Sequence, residues 1–369
     1  MNLMKHNYDF GFLRSCRAGM LVCGALGALL SSVQGQTAVT GVTYGTTVDS
    51  SNSTADNIRY LNTYTPVATI STAAGSYKFD GPLADSVYIR RNTSSGNPNN
   101  SSVFYQYQSD SNGVTSVYSK GDTTPTLSEV MLSNDLTQGL RNPFANDGGT
   151  ESLTSNIERI DFRYNGGYTV QAGDSLVFFD LENVGNFGDG FRIAAVTSWG
   201  TYNGTSAPTA YANSGLLIDP DSYGSPVATP LGGNASYVRS TTTNGDNISS
   251  NQSVTFLDSN TGSANSSDLY LVGIMITFAD LGIAPGTVIQ GFSLMAGDVA
   301  ATTSGSLLNW NNSSVYKTDT DATTWGNVDF MGFGGQISRP VPEPATYGVI
   351  FMSLCTGGFL LRRRHFARR

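Results

Sequence analysis

Short runs of alternating apolar and polar residues, broken by Gly and Asn, dominate this chain. Within 102–120, Val103, Tyr105 and Tyr107 alternate with Phe104, Gln106 and Gln108, and Asn112-Gly113 separates this run from a second one. Alternate side chains of a strand lie on opposite faces, and Asn-Gly readily takes the positive φ that a hairpin turn needs. This stretch therefore predicts a hairpin whose loop is longer than two residues. In IERIDFRYNGGYTV, Ile160, Phe162 and Tyr164 share a face, and Asn165-Gly166 predicts the turn of a second hairpin. Further strands are predicted at 86–90, 175–181, 191–199, 253–257, 269–278 and 288–295. The run 269–278 is apolar on both faces, as a strand in the middle of a sandwich is. Pro285-Gly286 has the signature of a type II turn feeding the strand after it. Helical periodicity is nearly absent, and one short helix is predicted at 127–140, opening at Ser128.

Many short strands with Gly and Asn turns, and no sign of a parallel βαβ arrangement, predict an all-β fold. The expected form is a jelly-roll-like β-sandwich over 36–336. Polar Gly/Asn/Ser-rich loops lie at 97–102, 232–253 and 260–267. The second of these can separate two lobes, so one lobe and two both stay open.

Composition narrows the chemistry. Setting aside Asp9 and Glu343 leaves 26 acidic residues between 36 and 340. Setting aside Lys5, Arg14, Arg17 and the five tail arginines leaves 12 basic ones, a net charge of about −14. A nucleic-acid partner needs a basic face, and none is visible. All three cysteines (Cys16, Cys23, Cys355) and both histidines (His6, His365) lie near the two ends. The central body can therefore hold no disulfide, no Ser-His-Asp triad, no Cys-His dyad and no His-ligated zinc.

The remaining candidates use oxygen and aromatic rings. Asp180 and Glu182 stand two apart in a predicted strand, facing the same way, and paired carboxylates suit glycoside hydrolysis. The simpler reading is the fraying end of an edge strand. For a structural calcium ion, the acidic loops are Asp219-Pro220-Asp221, Asp319-Thr320-Asp321 and Asp189 in its Gly-flanked turn. None has the spacing of an EF-hand, and no other cofactor is expected. Trp199, Tyr202, Trp310 and Trp325 stand in polar surroundings, where aromatic rings can stack on sugars or simply pack.

The ends carry the sharpest signals. Lys5, Arg14 and Arg17 precede an apolar stretch from Ala18 to about Val33, the three-part pattern of a secretory signal peptide. Residues 1–35 are read as that peptide, cut between Gly35 and Gln36. At the other end, 345–361 has no charged residue and spans 17 positions. That is roughly 26 Å of helix, at the short limit for a ~30 Å hydrocarbon core. The cluster at 362–369 favours the cytoplasmic side and fixes the orientation. Pro342 and Pro344 stiffen the stub before this transmembrane helix, within a linker over 337–344.

Taken together, the ends resemble the bacterial PEP-CTERM sorting family. The matching residues are Val341, Pro342, Glu343, Pro344 and Ala345, then the apolar helix, then Arg362, Arg363 and Arg364. The resemblance implies processing by an exosortase near the triplet. It also implies export through the cell envelope to the surface or to an exopolysaccharide matrix. It covers only the tail and leaves the body's role unassigned. The resulting expectation is a non-catalytic surface or matrix protein, with a carbohydrate-binding or carboxylate-dependent glycan-active protein as the alternative.

Overall fold

The computed structural model describes residues 36–46, 48–49, 63–64, 66–92, 103–109, 115–120, 132, 136, 138–141, 143–146, 157–183, 188–227, 236–238, 252–255, 268–320, 325–326, 328–331 and 335–342. Among them the fold is all-β, and every strand pair is antiparallel. Two short strands, β2 (Val48–Asp49) and β3 (Thr63–Tyr64), pair only with each other.

The smaller main sheet contains β6 (Ser86–Arg91), β10 (Ile157–Thr169), β12 (Phe191–Tyr202), β13 (Thr205–Tyr211), β14 (Leu216–Ile218) and β18 (Val288–Ala296). Its order is β13-β12-β18-β10-β6, with β14 beside β12. The larger sheet has β11 (Ser175–Asn183) and β17 (Asp268–Thr277) at its centre. On one side lie β19 (Phe330–Met331), β9 (Gln138–Arg141), β7 (Val103–Ser109), β8 (Thr115–Lys120) and β16 (Gln252–Thr255). On the other lie β1 (Thr37–Tyr44), β4 (Val67–Thr72), β5 (Gly75–Lys78) and β20 (Arg339–Pro340), while β15 (Ser236–Val238) also pairs with β17.

The two sheets meet through aromatic rings. Phe178 of β11 makes edge contacts with Phe191 at 5.3 Å and Phe292 at 6.0 Å, both in the small sheet. Phe162 and Phe292, cross-strand neighbours on β10 and β18, stack at 4.5 Å. The other face of the large sheet is also buried. Val177, Phe179, Leu271 and Met275 form a second cluster with Val39, Val67, Ile70 and Tyr77. Strand β1 explains this layer: it pairs with β17 at Thr37 and Ala38, then changes partner to β4 from Val39 onward. The β1-β4-β5-β20 ribbon thereby folds over the large sheet. Strand β17 is thus buried on both faces, as its doubly apolar sequence predicts.

Most predicted strands appear within a few residues of their expected bounds. The hairpin at 102–120 is β7–β8, closing from Ser109 to Thr115. Pro285-Gly286 forms its type II turn, with Gly286 at φ +87° and Thr287 N–H donating to Ala284 O at 3.1 Å. The hairpin expected at Asn165-Gly166 does not form. Both flanks of that segment pair with the same strand, through Arg163–Gly291 and Tyr168–Ile289, so it is a bulge in one long strand. Positive φ falls on Gly166 and Gly167, and Asn165 instead donates its N–H to Asp85 at 2.6 Å. The two-residue hairpin is at Asn203-Gly204, with φ +48° and +79° joining β12 to β13.

The end of the helix expected at 127–140 is strand β9; the rest lies outside the described residues apart from two buried leucines, Leu132 and Leu136. Strand β15, inside the 232–253 loop that can separate two lobes, and β16, at its end, both belong to the large sheet. No helix of the described residues is long and apolar enough to cross a membrane. The signal segment and the transmembrane segment lie outside them.

Candidate functional site

The outer face of the small sheet carries the densest chemistry. Its register sets Tyr88 opposite Asp161, Arg90 opposite Arg159, and Ser86 opposite Arg163. Across β10, Asp161 faces Ser293 and Arg159 faces Met295. Charged side chains on a sheet face usually meet water. Here Arg159 and Asp161 are fully buried and Arg90 is nearly so.

A roof from two distant segments explains the burial. Strand β12 leaves β18 after Val196, and register shifts at Val196, Ser198 and Trp199 bend the β12–β13 hairpin. Although β13 and β6 lie at opposite edges of the sheet, Ser206 on β13 accepts a 2.6 Å bond from Arg90 on β6. The hairpin therefore arches over β18 and β10. The second cover is the stretch after β18, which includes a 3-10 turn (Ser304–Leu308), Trp310 and Tyr316.

Under this roof the Asp161 carboxylate accepts four hydrogen bonds. Arg159 gives two, from Nε at 2.6 Å and Nη2 at 3.2 Å; Arg90 Nε gives a third at 2.6 Å, and Ser293 Oγ a fourth at 2.6 Å. Arg159 also donates to Leu307 O, and Tyr316 OH donates to the same carbonyl at 2.7 Å. Trp310 lies within 5.0 Å of the Arg159 guanidinium and 5.2 Å of Arg90. Burial alone would raise the Asp161 pKa, but the charges of Arg159 and Arg90 overcome it and hold the carboxyl below its usual range. Burial likewise pushes the Tyr316 hydroxyl up to about 12. In this buried triad of Arg90, Arg159 and Asp161, the two guanidinium groups reach the roof, at Ser206 O and Leu307 O.

Three of the four aromatic candidates are engaged in the same roof. Trp199 lies 5.5 Å from Tyr88, with the Arg163 guanidinium 5.1 Å from its ring and its Nε1 donating to Ser206 Oγ at 2.9 Å. Tyr202 packs on Trp310 at 5.6 Å. Trp325 is elsewhere, against Gly190 and Gly297, where a Cβ on Gly297 would sit 1.9 Å from the indole. The tryptophans act as packing, and guanidinium groups lie against the rings of Trp199 and Trp310.

The acidic candidates are scattered. Asp180 is fully buried and accepts the N–H of Asp189 at 2.6 Å and of Asp329 at 2.7 Å, so it ties two loops together. It shares a strand face with Phe178, between the two sheets, away from the Trp199–Trp310 roof. Glu182 follows on β11, and its side chain lies outside the described part. Asp219 and Asp221 are exposed around the short 3-10 turn Pro220–Ser222. Asp319 is exposed too, and Asp321 lies outside the described residues. Among the described residues, no group of three or more His, Cys, Asp or Glu side chains converges as a metal site.

The chain's final described stretch is docked rather than free. Ile337 and Ser338 are fully buried, Ser338 exchanges backbone bonds with Ser175, and Val341 N–H donates to Ser76 O at 2.8 Å. Arg339 clasps buried Asp174 at 3.1 Å and the Tyr168 hydroxyl at 2.8 Å. The stretch expected as linker from residue 337 is therefore body up to Val341, with Pro342 exposed. Glu343, Pro344, Ala345 and Arg362 to Arg364 lie outside the described residues, as does Gly35. Gln36 is described, with its side chain donating to Leu217 O at 3.2 Å. Arg339→Ala should loosen this clasp by about 1 kcal/mol, because the arginine is one-third exposed and Asp174 keeps the Tyr168 and Gln171 donors. Hydrogen exchange at the Ser338 and Val341 amides checks it, with faster exchange expected there and none at Phe292.

No family model, curated protein or solved structure matches this chain.

Proposed function

We propose that this chain is an exported, non-catalytic surface or matrix protein, a jelly-roll-like β-sandwich body delivered by a signal peptide and sorted by a PEP-CTERM-type tail that an exosortase processes. The observation that carries this reading is how the described strands meet the two expected cuts. Strand β1 opens at Thr37, one residue after Gln36, the residue expected to follow signal cleavage. The last body hydrogen bond among the described residues is made by Val341 N–H, and Pro342 is exposed. Pro342, the first residue of the triplet, is thus open to an enzyme that cuts near it. Asp180 is taken up in tying two loops, and guanidinium groups lie against the rings of Trp199 and Trp310, which supports this reading over the glycan-active alternative.

Intact-mass analysis of the exported protein tests the reading. The expected product starts at about Gln36 and has lost the helix and arginine cluster. A product that keeps its C-terminal arginines is a plainly anchored protein and ends the exosortase reading. A cytosolic chain with both ends intact overturns export itself.

A further inference from the structure

One end of the small sheet gathers buried oxygens, and at its Glu158 carboxylate two amides and no described cation act. Strand β6 ends beside Asn92, β10 begins at Ile157–Glu158, and β18 runs out into Gly297 and Asp298. The register holds these ends level, because Ile157 pairs with Arg91 and Arg159 pairs with Met295. A bulge between Ile157 and Arg159 makes Glu158 the extra residue, and bulges re-aim side chains. Glu158 is only 3% exposed, and its Oε1 has no hydrogen-bond partner. Asn146, 6% exposed, sends its Nδ2 to Lys317 O at 3.1 Å and leaves Oδ1 without a partner. The amides of Asn146 and Asn92 lie against the Glu158 carboxylate, and the charge of Asp298 reaches it. Thr320, in the acidic loop singled out from sequence, joins these parts. Its hydroxyl donates to Asp298, at 3.1 Å to Oδ2, and its carbonyl accepts Asn146 N–H at 3.2 Å.

Among the described residues, three nearby cations act elsewhere or from the surface. Arg159 turns to the opposite face and binds Asp161. Arg192 donates to the carbonyls of Gly297 and Gly215. Lys317 acts on Asp298 but is exposed. A buried carboxylate without a cation is expensive, and it either takes up a proton or holds an ion. Burial, assisted by Asp298, pushes Glu158 up to about 8. Burial also raises Asp298, with Asp319 adding to it. Two carboxylates with an amide oxygen, partly open to water, match the mixed oxygen shell of a hard divalent ion.

We propose that this end of the small sheet binds one Ca²⁺ ion through the carboxylates of Glu158 and Asp298 and the Oδ1 of Asn146. Water completes the shell on the Asp298 side, which is half-buried. Calcium fits better than magnesium, because it accepts irregular shells of six to eight oxygens, whereas magnesium demands a near-ideal octahedron. The ion ties the ends of β10 and β18 to the segment at 143–146, and Thr320 braces Asp298 and Asn146.

Calorimetric titration of the purified full chain with CaCl₂, paired with thermal unfolding in CaCl₂ and in EDTA, tests this. The expected result is one Ca²⁺ per chain and a higher Tm with calcium. Glu158→Gln and Asp298→Asn should each weaken binding at least tenfold, and Asp219→Asn, on the exposed turn, should leave it unchanged. Should Glu158→Gln fail to fold by circular dichroism, Asp298→Asn decides, since that side chain is half-buried and at the edge. No calcium-dependent heat or Tm shift in the unaltered chain overturns the proposal; Glu158 is then a protonated acid. Unchanged affinity in Asp298→Asn, or equal loss in Asp219→Asn, also overturns it, by placing the ion elsewhere or diffusely on the acidic surface.

Discussion

Exchanging Asp161 for asparagine should lower the free energy of unfolding by about 3–5 kcal/mol, because it strands two buried guanidinium groups without their counter-charge. Asp161 takes hydrogen bonds from Arg159, Arg90 and Ser293, and all three of these donors are buried. Asparagine keeps the shape but offers one acceptor oxygen and no charge. Arg90→Met should be milder, about 1–3 kcal/mol, since it leaves a neutral Arg159–Asp161 pair and frees only the Ser206 carbonyl. Urea unfolding of both variants measures the order, and a larger loss for Arg90→Met would show that the roof contacts outweigh charge balance. The pH dependence has a definite sign. The Asp161 carboxyl is held below its usual range in the fold, so its contribution is fully present above the unfolded value of about 3.9. It is lost as pH falls from there through the folded value. The gap between the unaltered protein and Asp161→Asn should therefore be constant from about pH 8 to 5 and narrow below about 4.

That buried triad marks the boundary of what local sequence can tell. The run from Ile157 to Tyr164 reads correctly as a strand with Ile160, Phe162 and Tyr164 on its apolar face. Its other face alternates Arg159, Asp161 and Arg163, which on local pattern alone is a solvent face. It is buried only because a hairpin from 199–206 and a turn from 304–308 arrive from far along the chain. Periodicity carries no information about such a cover. The turn errors have a related cause. Asn165-Gly166-Gly167 and Asn203-Gly204 offer the same local chemistry, and what separates them is whether the flanking strands pair with each other or with a third. Strand β10 has β18 on one side and β6 on the other, so its Asn-Gly is absorbed as a bulge. The double apolar face of β17 was legible because both faces are recorded in its own residues. Glu158 was not, because a bulge and three separate loops define its surroundings.

Phe292→Ala should remove about 3–5 kcal/mol, the range for truncating a fully buried phenylalanine. The ring is at the point where the two sheets meet. It stacks on Phe162 at 4.5 Å and meets Phe178 of the opposite sheet edge-on at 6.0 Å. Phe178 in turn contacts Phe191 and Phe330, so the cavity would open against rings that hold three other strands. These neighbours have little room to collapse. The backbone beside the site is pinned as well: a Cβ at Gly291 would lie 1.9 Å from Phe162 O, so β10 and β18 already approach as closely as glycine allows. Rigid walls preserve a cavity, which puts the expected loss toward the upper part of the range. Val288→Ala on the same strand is the matched control, because Val288 is 49% exposed and its loss should stay within about 0.5 kcal/mol. Thermal and urea unfolding of the pair give the difference directly. A loss below about 1.5 kcal/mol for Phe292→Ala would mean that the sheets do not meet through this ring, and that the small sheet is held mainly by its roof.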